Sequence, residues 1–283
     1  MNGRSDALLA AALSAARAAA AEILKVYGSE FLVEKKEDDS PLTCADRNAH
    51  RVINAVLSSC AERLPVLSEE GQDIAYETRC LWRRFWLVDP LDGTKEFVKR
   101  NGEFTVNIAL IEDFRPTLGV IAVPVRDLLY FGVKDLGAFR LGSASRLPST
   151  ILPNDILAAA EKLPLPGTSR HNEVVVAGSR SHGADRFNEF VARLEARHGA
   201  VRLMTAGSAL KFCLVAEGSA DLYPRFGPTM EWDTAAGQAI VEEAGGRVIR
   251  DDTGERLRYN KQDLRNPHFL VLGPGAAALR GRE

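Results

Sequence analysis

Two aspartates follow directly after an apolar run in the sequence FWLVDPLDGTKEF. Asp89 and Asp92 flank a Pro-Leu pair, and Gly93 and Thr94 come next. Proline restricts the backbone, so a tight turn here can direct both carboxylates and the Leu91 carbonyl toward one point. Hard divalent cations such as Mg²⁺ bind oxygen ligands of this kind. The stretch indicates either a metal site at the end of a strand or an ordinary Asp-Gly surface turn.

Further acids stand where they could complete such a metal site. The run VLSEE ends in Glu69 and Glu70, and EWDTAAGQAI places Asp233 at the start of a predicted helix. Function in open α/β sheets collects at the carboxyl ends of strands, so the acids at these two strand ends could meet. Two ordinary explanations stay open: a solvated strand end for the glutamates, and a helix N-terminus that favours an acid for Asp233.

The residues after the DPLD turn suit a phosphate ligand. Gly93 lets the backbone turn closely, and Thr94 begins the next segment with exposed N–H groups. Such groups at a helix start bind phosphate through their partial positive charge. The local pattern therefore predicts a phosphate site beside the metal site.

The elements that must position these residues alternate between helical and strand patterns. The predicted segments are a helix over 5–27, a strand over 31–36, a polar loop over 37–46, a helix over 46–64, a hairpin of PTLGVIAVPV and DLLYFGVK, a strand at GAFRL, helices over 184–198 and 208–217, a helix at EWDTAAGQAIVEEAGG and strands near RVIRD and HFLVLG. Helices and strands mixed in two successive halves predict a layered α/β fold.

Residues 143–172 differ in composition from the rest, with four prolines and little periodicity. Such a stretch is typical of a junction between domains. We therefore predict an N-terminal α+β domain of residues 1–148 that carries most metal ligands. The predicted C-terminal α/β domain, residues 149–283, carries Asp233 and the substrate pocket.

The overall composition excludes several classes of protein. The 283 residues are 46% hydrophobic and 26% charged, which is enough for a sizeable core without disulfides. The formal net charge of −2 provides no broad cationic field for a nucleic acid polymer or a membrane surface. Four widely separated cysteines, without a CxxC pair, predict reduced thiols and a cytoplasmic location.

The apolar N-terminus is predicted to be an amphipathic helix and not a signal peptide. Asp6, Arg17, Glu22 and Lys25 interrupt its apolar run, and Gly28 marks its end. No stretch approaches the roughly 20 apolar residues that a membrane span needs. We therefore expect no integral membrane segment.

Several motifs in a fixed order carry a family resemblance. SEE, DPLDGTKEF and WDTAAGQAI resemble the inositol monophosphatase superfamily of magnesium-dependent, lithium-sensitive phosphatases. KEDDSPLTCAD, DGTKEF and GSALKFCLVAEGSADLYPRFGPTMEWDTAAG are similar to its bacterial CysQ branch of 3'(2'),5'-bisphosphate nucleotidases. The resemblance covers roughly residues 7–274. It implies a five-layer α-β-α-β-α sandwich.

The resemblance implies a metal-ligand set of Glu69, Asp89, the Leu91 carbonyl, Asp92 and Asp233. In this family pattern Asp89 bridges two Mg²⁺ ions. Glu69 and Leu91 serve one ion, and Asp92 and Asp233 hold the other. Two or three Mg²⁺ ions and inhibition by Li⁺ are expected.

The resemblance also implies the catalytic residues Asp46, Glu69 and Thr94. Thr94 and Asp46 resemble the pair that positions and deprotonates the attacking water, and the N–H groups of Gly93 and Thr94 receive the scissile phosphate. A phosphate monoester dianion repels hydroxide, so metals must neutralise it, lower the pKa of water and stabilise the leaving alkoxide. We expect direct transfer to water without a phosphoenzyme.

The substrate implied by the resemblance is 3'-phosphoadenosine 5'-phosphate, which yields AMP and phosphate. Its second phosphate needs a cation, and Lys95, Lys211 and Arg225 are the candidates, with Ser208 at a position that contacts ribose, adenine or the distal phosphate in related nucleotidases. The predicted substrate-binding set is Glu69, Leu91, Asp92, Gly93, Thr94, Lys95, Ser208, Lys211, Arg225 and Asp233.

Two rival functions share these motifs. An inositol monophosphatase or broad sugar-phosphate phosphatase would have the same fold and metals but a different pocket, and the Lys95-Glu96 pair favours the nucleotidase. A non-catalytic sensor would bind nucleotide or metal without turnover. A homodimer is expected from relatives, and peripheral association with the inner membrane is compatible with a cytoplasmic location.

Overall fold

A computed structural model describes residues 3–35, 41–148, 153–167, 173–178, 184–276 and 279. Its helices are α1 (Gly3–Tyr27), α2 (Cys44–Ser58), α3 (Tyr76–Arg79), α4 (Thr94–Val98), α5 (Pro153–Ala159), α6 (Ala184–His198), α7 (Leu210–Ala216) and α8 (Glu231–Glu243). Its strands are β1 (Val33–Lys35), β2 (Pro41–Thr43), β3 (Val66–Ser68), β4 (Arg84–Asp92), β5 (Thr105–Glu112), β6 (Arg115–Val123), β7 (Leu128–Val133), β8 (Gly137–Gly142), β9 (Glu161–Lys162), β10 (Val174–Gly178), β11 (Val201–Thr205), β12 (Leu222–Arg225), β13 (Arg247–Arg250) and β14 (Phe269–Leu272).

The larger sheet has the strand order β3-β4-β5-β6-β7-β8-β9. All neighbours are antiparallel except β3 and β4, which run parallel. Side chains alternate between its two faces, as the pleat requires. Trp86 and Val88 of β4 pack with α1 and α2, whereas Phe85 and Leu87 pack with α7 and α8. Apolar residues on both faces show that the sheet is covered on both sides.

The smaller sheet has the order β11-β10-β12-β14-β13. Strand β10 is parallel to β11 and β12, and β14 is antiparallel to β12 and β13. Phe190 and Leu194 of α6 cover its outer face, and α7 and α8 lie between the two sheets. The layers are therefore α1/α2, sheet, α7/α8, sheet and α6, which confirms the predicted α-β-α-β-α sandwich.

Helix α8 packs unusually close to the larger sheet because small residues meet along the contact. A Cβ built on Gly119 of β6 would lie 2.4 Å from the Ala236 carbonyl oxygen, and one on Gly132 of β7 would lie 2.8 Å from the Ile240 Cα. Gly237 of α8 lies against the Phe212 ring, and a Cβ built on Gly237 would lie 2.3 Å from the Phe212 Cγ. The close approach places the start of α8, with Asp233, near the end of β4.

Most predicted elements are confirmed. The first helix, the β6–β7 hairpin with β8 after it, the helix over 184–198 and the last two strands all occur. Helix α7 begins two residues later than expected, at Leu210, because Ser208 has a left-handed backbone with φ of 43°. Helix α2 ends at Ser58 instead of Leu64, where the Ser59 hydroxyl donates to the Val56 carbonyl and caps the last turn.

The prediction of a polar loop over 37–46 is partly wrong. Pro41–Thr43 form β2, which pairs with β1, and α2 already begins at Cys44. Residues 37–40 of that loop, and residue 36 of the predicted strand before it, lie outside the described residues. The predicted junction over 143–172 lies partly outside them as well. Within its described part, α5 contacts α1, and β9 adds to the larger sheet beside β8. The division at 148 and 149 stays a prediction.

Helix α1 is long and apolar enough, over Ser5–Tyr27, to cross a membrane by length and composition alone. We expected no stretch of this kind, because four charged residues interrupt the apolar run of the helix. A core helix passes the same test, and in α1 Leu9, Ala12, Ala16 and Ile23 are fully buried in the core that it shares with α2 and the larger sheet. The buried face of α1 is therefore explained by packing within the protein.

The contact at Gly119 predicts a stability effect. Gly119→Ala places a methyl group against the backbone of α8, which cannot yield as a flexible side chain can. We expect the free energy of unfolding to fall by about 1–3 kcal/mol, the usual cost of overpacking. Urea unfolding followed by circular dichroism measures it.

Gly142→Ala is the matched control, because its Cβ would meet only Leu128 Cδ2 at 3.9 Å on an exposed part of β8. We expect a change within about 0.5 kcal/mol for this variant. Equal urea midpoints for the two variants would contradict the packing argument.

Candidate active site

The DPLD turn closes β4 at an irregularity in the larger sheet. The pairing of β4 with β5 shifts register between Asp89, opposite Asn107, and Asp92, opposite Thr105. The Leu91 N–H donates to Asp89 Oδ1 at 3.1 Å, so the carboxylate folds back over its own turn. Gly93 then has φ of 91° and ψ of 42°, a left-handed conformation that glycine adopts without strain. Bulge and glycine together turn the chain away from the sheet.

Asp89 is the buried centre of the acidic group, with 1% of its surface exposed. Burial raises the pKa of Asp89 well above its ordinary value, and repulsion from Glu69, Asp92 and Asp233 raises it further. No cationic side chain is among the groups that act most strongly on the pKa of Asp89. The site therefore holds more negative charge than its own side chains balance.

Glu69 reaches this group from the end of β3. Its N–H donates to the Val88 carbonyl at 3.1 Å, which continues the parallel pairing of β3 with β4 by one residue. The Gly71 N–H donates to the Ser68 carbonyl at 3.0 Å and closes a turn behind Glu69. The Glu69 carboxylate lies close enough to Asp89 to raise the pKa of Asp89 by repulsion. The expected proximity of the two strand ends is thus present.

Asp92 is held by donors from both halves of the chain. Its Oδ2 accepts the Ala209 N–H at 2.6 Å, the Asn107 amide at 3.3 Å and the Thr105 hydroxyl at 3.4 Å. Exclusion of water raises the pKa of Asp92, although the Lys211 charge and these donors act in the opposite direction. The carboxylate is therefore oriented mainly by a backbone N–H from the second half.

Asp233 is both a helix-capping residue and a neighbour of the other acids. It occupies the third position of α8, and its Oδ2 accepts the Met230 N–H at 2.9 Å. Burial and repulsion from Asp92 and Glu69 raise its pKa well above the ordinary value, while Arg225 opposes the shift. The ordinary explanation, a helix N-terminus, is correct but incomplete, because Asp233 also lines a cavity together with Asp92.

The donor set fits a hard divalent cation. All its members are oxygens, the central carboxylate is buried, and the mutual repulsion of the acids is what a bound cation would relieve. Over the described ranges, no three aspartate, glutamate, histidine or cysteine side chains already stand in a metal-holding arrangement. Backbone N–H groups hold an oxygen each of Asp89, Asp92 and Asp233 instead.

Thr94 and Asp46 lie side by side at the edge of the acidic group. The Thr94 hydroxyl is 3.3 Å from Asp46 Oδ1 and 3.4 Å from the Leu91 carbonyl oxygen. Asp46 Oδ2 accepts the Thr43 N–H at 2.8 Å and the Thr43 hydroxyl at 2.7 Å, within the capping box of α2. Burial raises the pKa of Asp46 to about 6. One of its oxygens is thus committed to the helix cap and the other faces Thr94.

A cavity of about 150 Å³ adjoins the acidic group. Asp92, Gly93 and Asp233 line it together with Ser208, Lys211 and Arg225. Of the predicted pocket cations, Lys95 is different, because it is exposed on α4 and does not line this cavity. The structure therefore brings two of the three candidate cations to the acids.

Lys211 and Arg225 differ in how their charges are used. The buried Lys211 ammonium donates to the carbonyls of Ala206 at 3.1 Å and Ser208 at 2.7 Å, and it lies 5.2 Å from the Tyr223 ring centroid. Burial lowers the pKa of Lys211 to about 8. Arg225 donates to the Pro228 carbonyl at 3.0 Å, and its Nε has no hydrogen-bond partner in the described part of the chain.

Sequence reasoning missed several groups that shape the site. Asn107 could have been noticed as a lone amide in the apolar run FTVNIALI. Glu70 was known only as a strand-end acid, yet its charge acts on Asp46 and His50. The Ala209 N–H left no signal at all, because a backbone donor is the same at every residue type except proline.

Comparison with known proteins agrees with this geometry. Residues 5–277 match the model of the inositol monophosphatase family. The 3'(2'),5'-bisphosphate nucleotidase CysQ of Salmonella typhimurium is 46% identical over 259 residues, which are 90% of this chain and 96% of that protein.

Solved structures show the same similarity. CysQ from Bacteroides thetaiotaomicron, described as a bacterial member of the inositol monophosphatase family, has a TM-score of 0.86 and 45% identity, with 96% of this chain and 98% of that chain covered. The extragenic suppressor protein SuhB from Bartonella henselae has a TM-score of 0.75 and 25% identity, with 97% of each chain covered. The family resemblance predicted from the motifs is confirmed, and the chain belongs to the inositol monophosphatase family.

Proposed function

We propose that this protein is a Mg²⁺-dependent 3'(2'),5'-bisphosphate nucleotidase that hydrolyses the 3'-phosphate of 3'-phosphoadenosine 5'-phosphate to AMP and phosphate. The observation that carries the proposal is the meeting of Asp233, from the second half of the chain, with Glu69, Asp89 and Asp92 from the first. The relatives named above support the choice of substrate, since CysQ of Salmonella typhimurium is a 3'(2'),5'-bisphosphate nucleotidase at 46% identity.

In this proposal Glu69, Asp89, the Leu91 carbonyl, Asp92 and Asp233 hold two or three Mg²⁺ ions. Bound Mg²⁺ would neutralise the phosphate, lower the pKa of the attacking water and stabilise the leaving oxygen. The protein's part is to keep these oxygens together against their own repulsion. The backbone N–H groups on Asp89, Asp92 and Asp233 do this by holding one oxygen of each.

Asp46 and Thr94 handle the proton of the attacking water. The Thr94 hydroxyl lies within reach of Asp46 Oδ1, which can accept the proton that the hydroxyl passes on. Thr43 holds the other Asp46 oxygen, so the carboxylate cannot rotate away. The N–H groups of Gly93 and Thr94, at the start of α4, would receive the scissile phosphate. Transfer is directly to water.

Lys211 and Arg225 are proposed to bind the second phosphate. Both line the cavity beside Asp92 and Asp233. Lys211 uses two of its three N–H groups on backbone carbonyls, which leaves one for a ligand. Arg225 has an unpartnered Nε among the described residues, and a guanidinium binds phosphate well. A role for Lys95 in substrate binding, the cytoplasmic location, the homodimer and inhibition by Li⁺ remain predictions.

The first test compares substrates and removes one ligand. The purified protein should release phosphate from 3'-phosphoadenosine 5'-phosphate only with Mg²⁺, and much faster than from inositol 1-phosphate. Asp92→Asn should reduce the rate by more than the ~10–100-fold typical of outer-shell changes. Asparagine can still accept the Ala209 N–H, so the fold should persist. A faster rate with inositol 1-phosphate would favour the rival phosphatase, and nucleotide binding without turnover would favour the sensor.

The raised pKa of Asp46 predicts the acid side of the pH profile. Asp46 can accept a proton only as a carboxylate, so the rate should rise with pH through about 6, where burial places its pKa. Asp46→Asn should lower kcat about 100-fold or more, as general-base loss does, and remove this limb. Thr94→Ser, which keeps the hydroxyl, should retain most activity. An unchanged acid limb in Asp46→Asn would refute the assignment.

The lowered pKa of Lys211 predicts the alkaline side. Above pH about 8 the ammonium loses its charge, so kcat/KM for the bisphosphate should fall. Lys211→Met should lower kcat/KM for the bisphosphate about 10-fold more than for adenosine 3'-monophosphate, because only the former loses a charge-assisted bond. Equal losses for the two substrates would show that Lys211 does not bind the second phosphate.

A further inference from the structure

Residues 206–209, between β11 and α7, are attached to the first half of the chain by three hydrogen bonds. The Gly207 N–H donates to Glu103 Oε2 at 3.0 Å, and the Ser208 hydroxyl donates to the Glu103 carbonyl at 3.0 Å. The Ala209 N–H donates to Asp92 Oδ2 at 2.6 Å. Glu103 thus takes two of the three bonds, and the predicted metal ligand takes the third.

The segment has little freedom to shift within this contact. A Cβ built on Gly207 would lie 2.6 Å from the Glu103 carbonyl oxygen and 2.8 Å from Glu96 Cγ. Ser208 has φ of 43°, a backbone conformation that residues with a Cβ adopt at a cost. The surrounding bonds therefore determine the position of the segment, because its own backbone preference would favour another one.

Lys211 of α7 holds the same segment through the segment's carbonyl groups. Its ammonium binds the carbonyls of Ala206 and Ser208. Lys211 of α7 thus binds the carbonyl groups of the segment. Glu103 binds its Gly207 N–H and its Ser208 hydroxyl. The Ala209 N–H makes the shortest of the three hydrogen bonds to Asp92. These two attachments, to Lys211 and to Glu103, fix the position of that N–H group.

We propose that Glu103 is a positioning residue for the metal site: through Gly207 it sets the Ala209 N–H against Asp92 and so tunes metal affinity and turnover. The proposal rests on the proposed function, because it assumes that Asp92 is a metal ligand. Glu103 would act through Gly207 and would not contact the substrate. Outer-shell partners that orient a ligating carboxylate affect metal affinity and activity strongly, although they touch neither metal nor substrate.

Glu243 provides a matched control. Its Oε2 accepts the Gly137 N–H at 3.3 Å, so it too is a glutamate that ties a distant backbone N–H. That bond joins α8 to β8, at the C-terminal end of α8, whereas Asp233 lies at its N-terminal end. Glu243→Ala therefore removes a comparable bond without touching residues 206–209.

The experiment compares Glu103→Ala, Glu103→Gln and Glu243→Ala in the full-length protein. Hydrogen exchange of the metal-free protein, read at the Gly207 and Ala209 amides, measures how firmly the segment is held. Mg²⁺ titrations followed by calorimetry and by phosphate release measure metal affinity and turnover. Urea unfolding shows whether each variant is folded.

In Glu103→Ala we expect faster exchange at both amides and a half-saturating Mg²⁺ concentration raised on the order of 10-fold. Glu103→Gln keeps a side-chain oxygen for the Gly207 N–H, so it should recover most of both losses. Glu243→Ala should change the urea midpoint but neither the two amides nor the Mg²⁺ titration.

Two results would overturn the inference. One is a Glu103→Ala protein with wild-type exchange at Ala209 and a wild-type Mg²⁺ titration. The other is a Mg²⁺ shift of equal size in Glu243→Ala, which would make Glu103 an ordinary structural contact. Failure of the proposed function is distinct, since it would appear as absent turnover in the wild-type protein, while the exchange at Gly207 and Ala209 would still test the positioning.

Discussion

Mutual repulsion among Glu69, Asp89, Asp92 and Asp233 governs how this fold is assembled. Four acids drawn together, with Asp89 fully buried, oppose folding unless donors or cations offset them. The protein uses backbone N–H groups as donors, and these are fixed by the bulge of β4, the start of α8 and the approach to α7. The fold is therefore built around a charge that its own side chains leave partly unbalanced.

Helix α8 is the element that lets distant parts of the chain meet at this charge. It lies between the two sheets, and the glycines of β6 and β7 allow its backbone to approach the larger sheet. Side chains larger than these would move its first turn away from β4. Close packing of the helix and the chemistry at its first turn are thus one requirement, because the contacts at Gly119 and Gly132 set the distance between the helix and the sheet.

The sequence predicted those parts of the site that are local. The DPLDGT turn keeps its carboxylates, its carbonyl and its glycine within a few residues, so turn chemistry alone suggests their convergence. The small residues Ala235, Ala236 and Gly237 allow a close approach of the helix that carries Asp233. A helix start does not state what it will face, so only the family resemblance assigned Asp233 to the metal site. The Lys211 bonds to carbonyls and the exposure of Lys95 follow from tertiary packing, which spacing does not encode. The strand β2 was missed because a three-residue strand has too little pattern to detect.

The two cations of the cavity do not by themselves make an acidic site attractive to an anionic ester. A phosphate that enters meets Asp92 and Asp233 together with Lys211 and Arg225. Two positive charges facing two negative ones leave no net attraction for a dianion, so the side chains alone cannot concentrate such a substrate. If the acids held divalent cations, as proposed, that balance would reverse, and Lys211 and Arg225 could act on a second anionic group instead of on the carboxylates. A pocket of this composition suits a ligand with two phosphates better than a ligand with one.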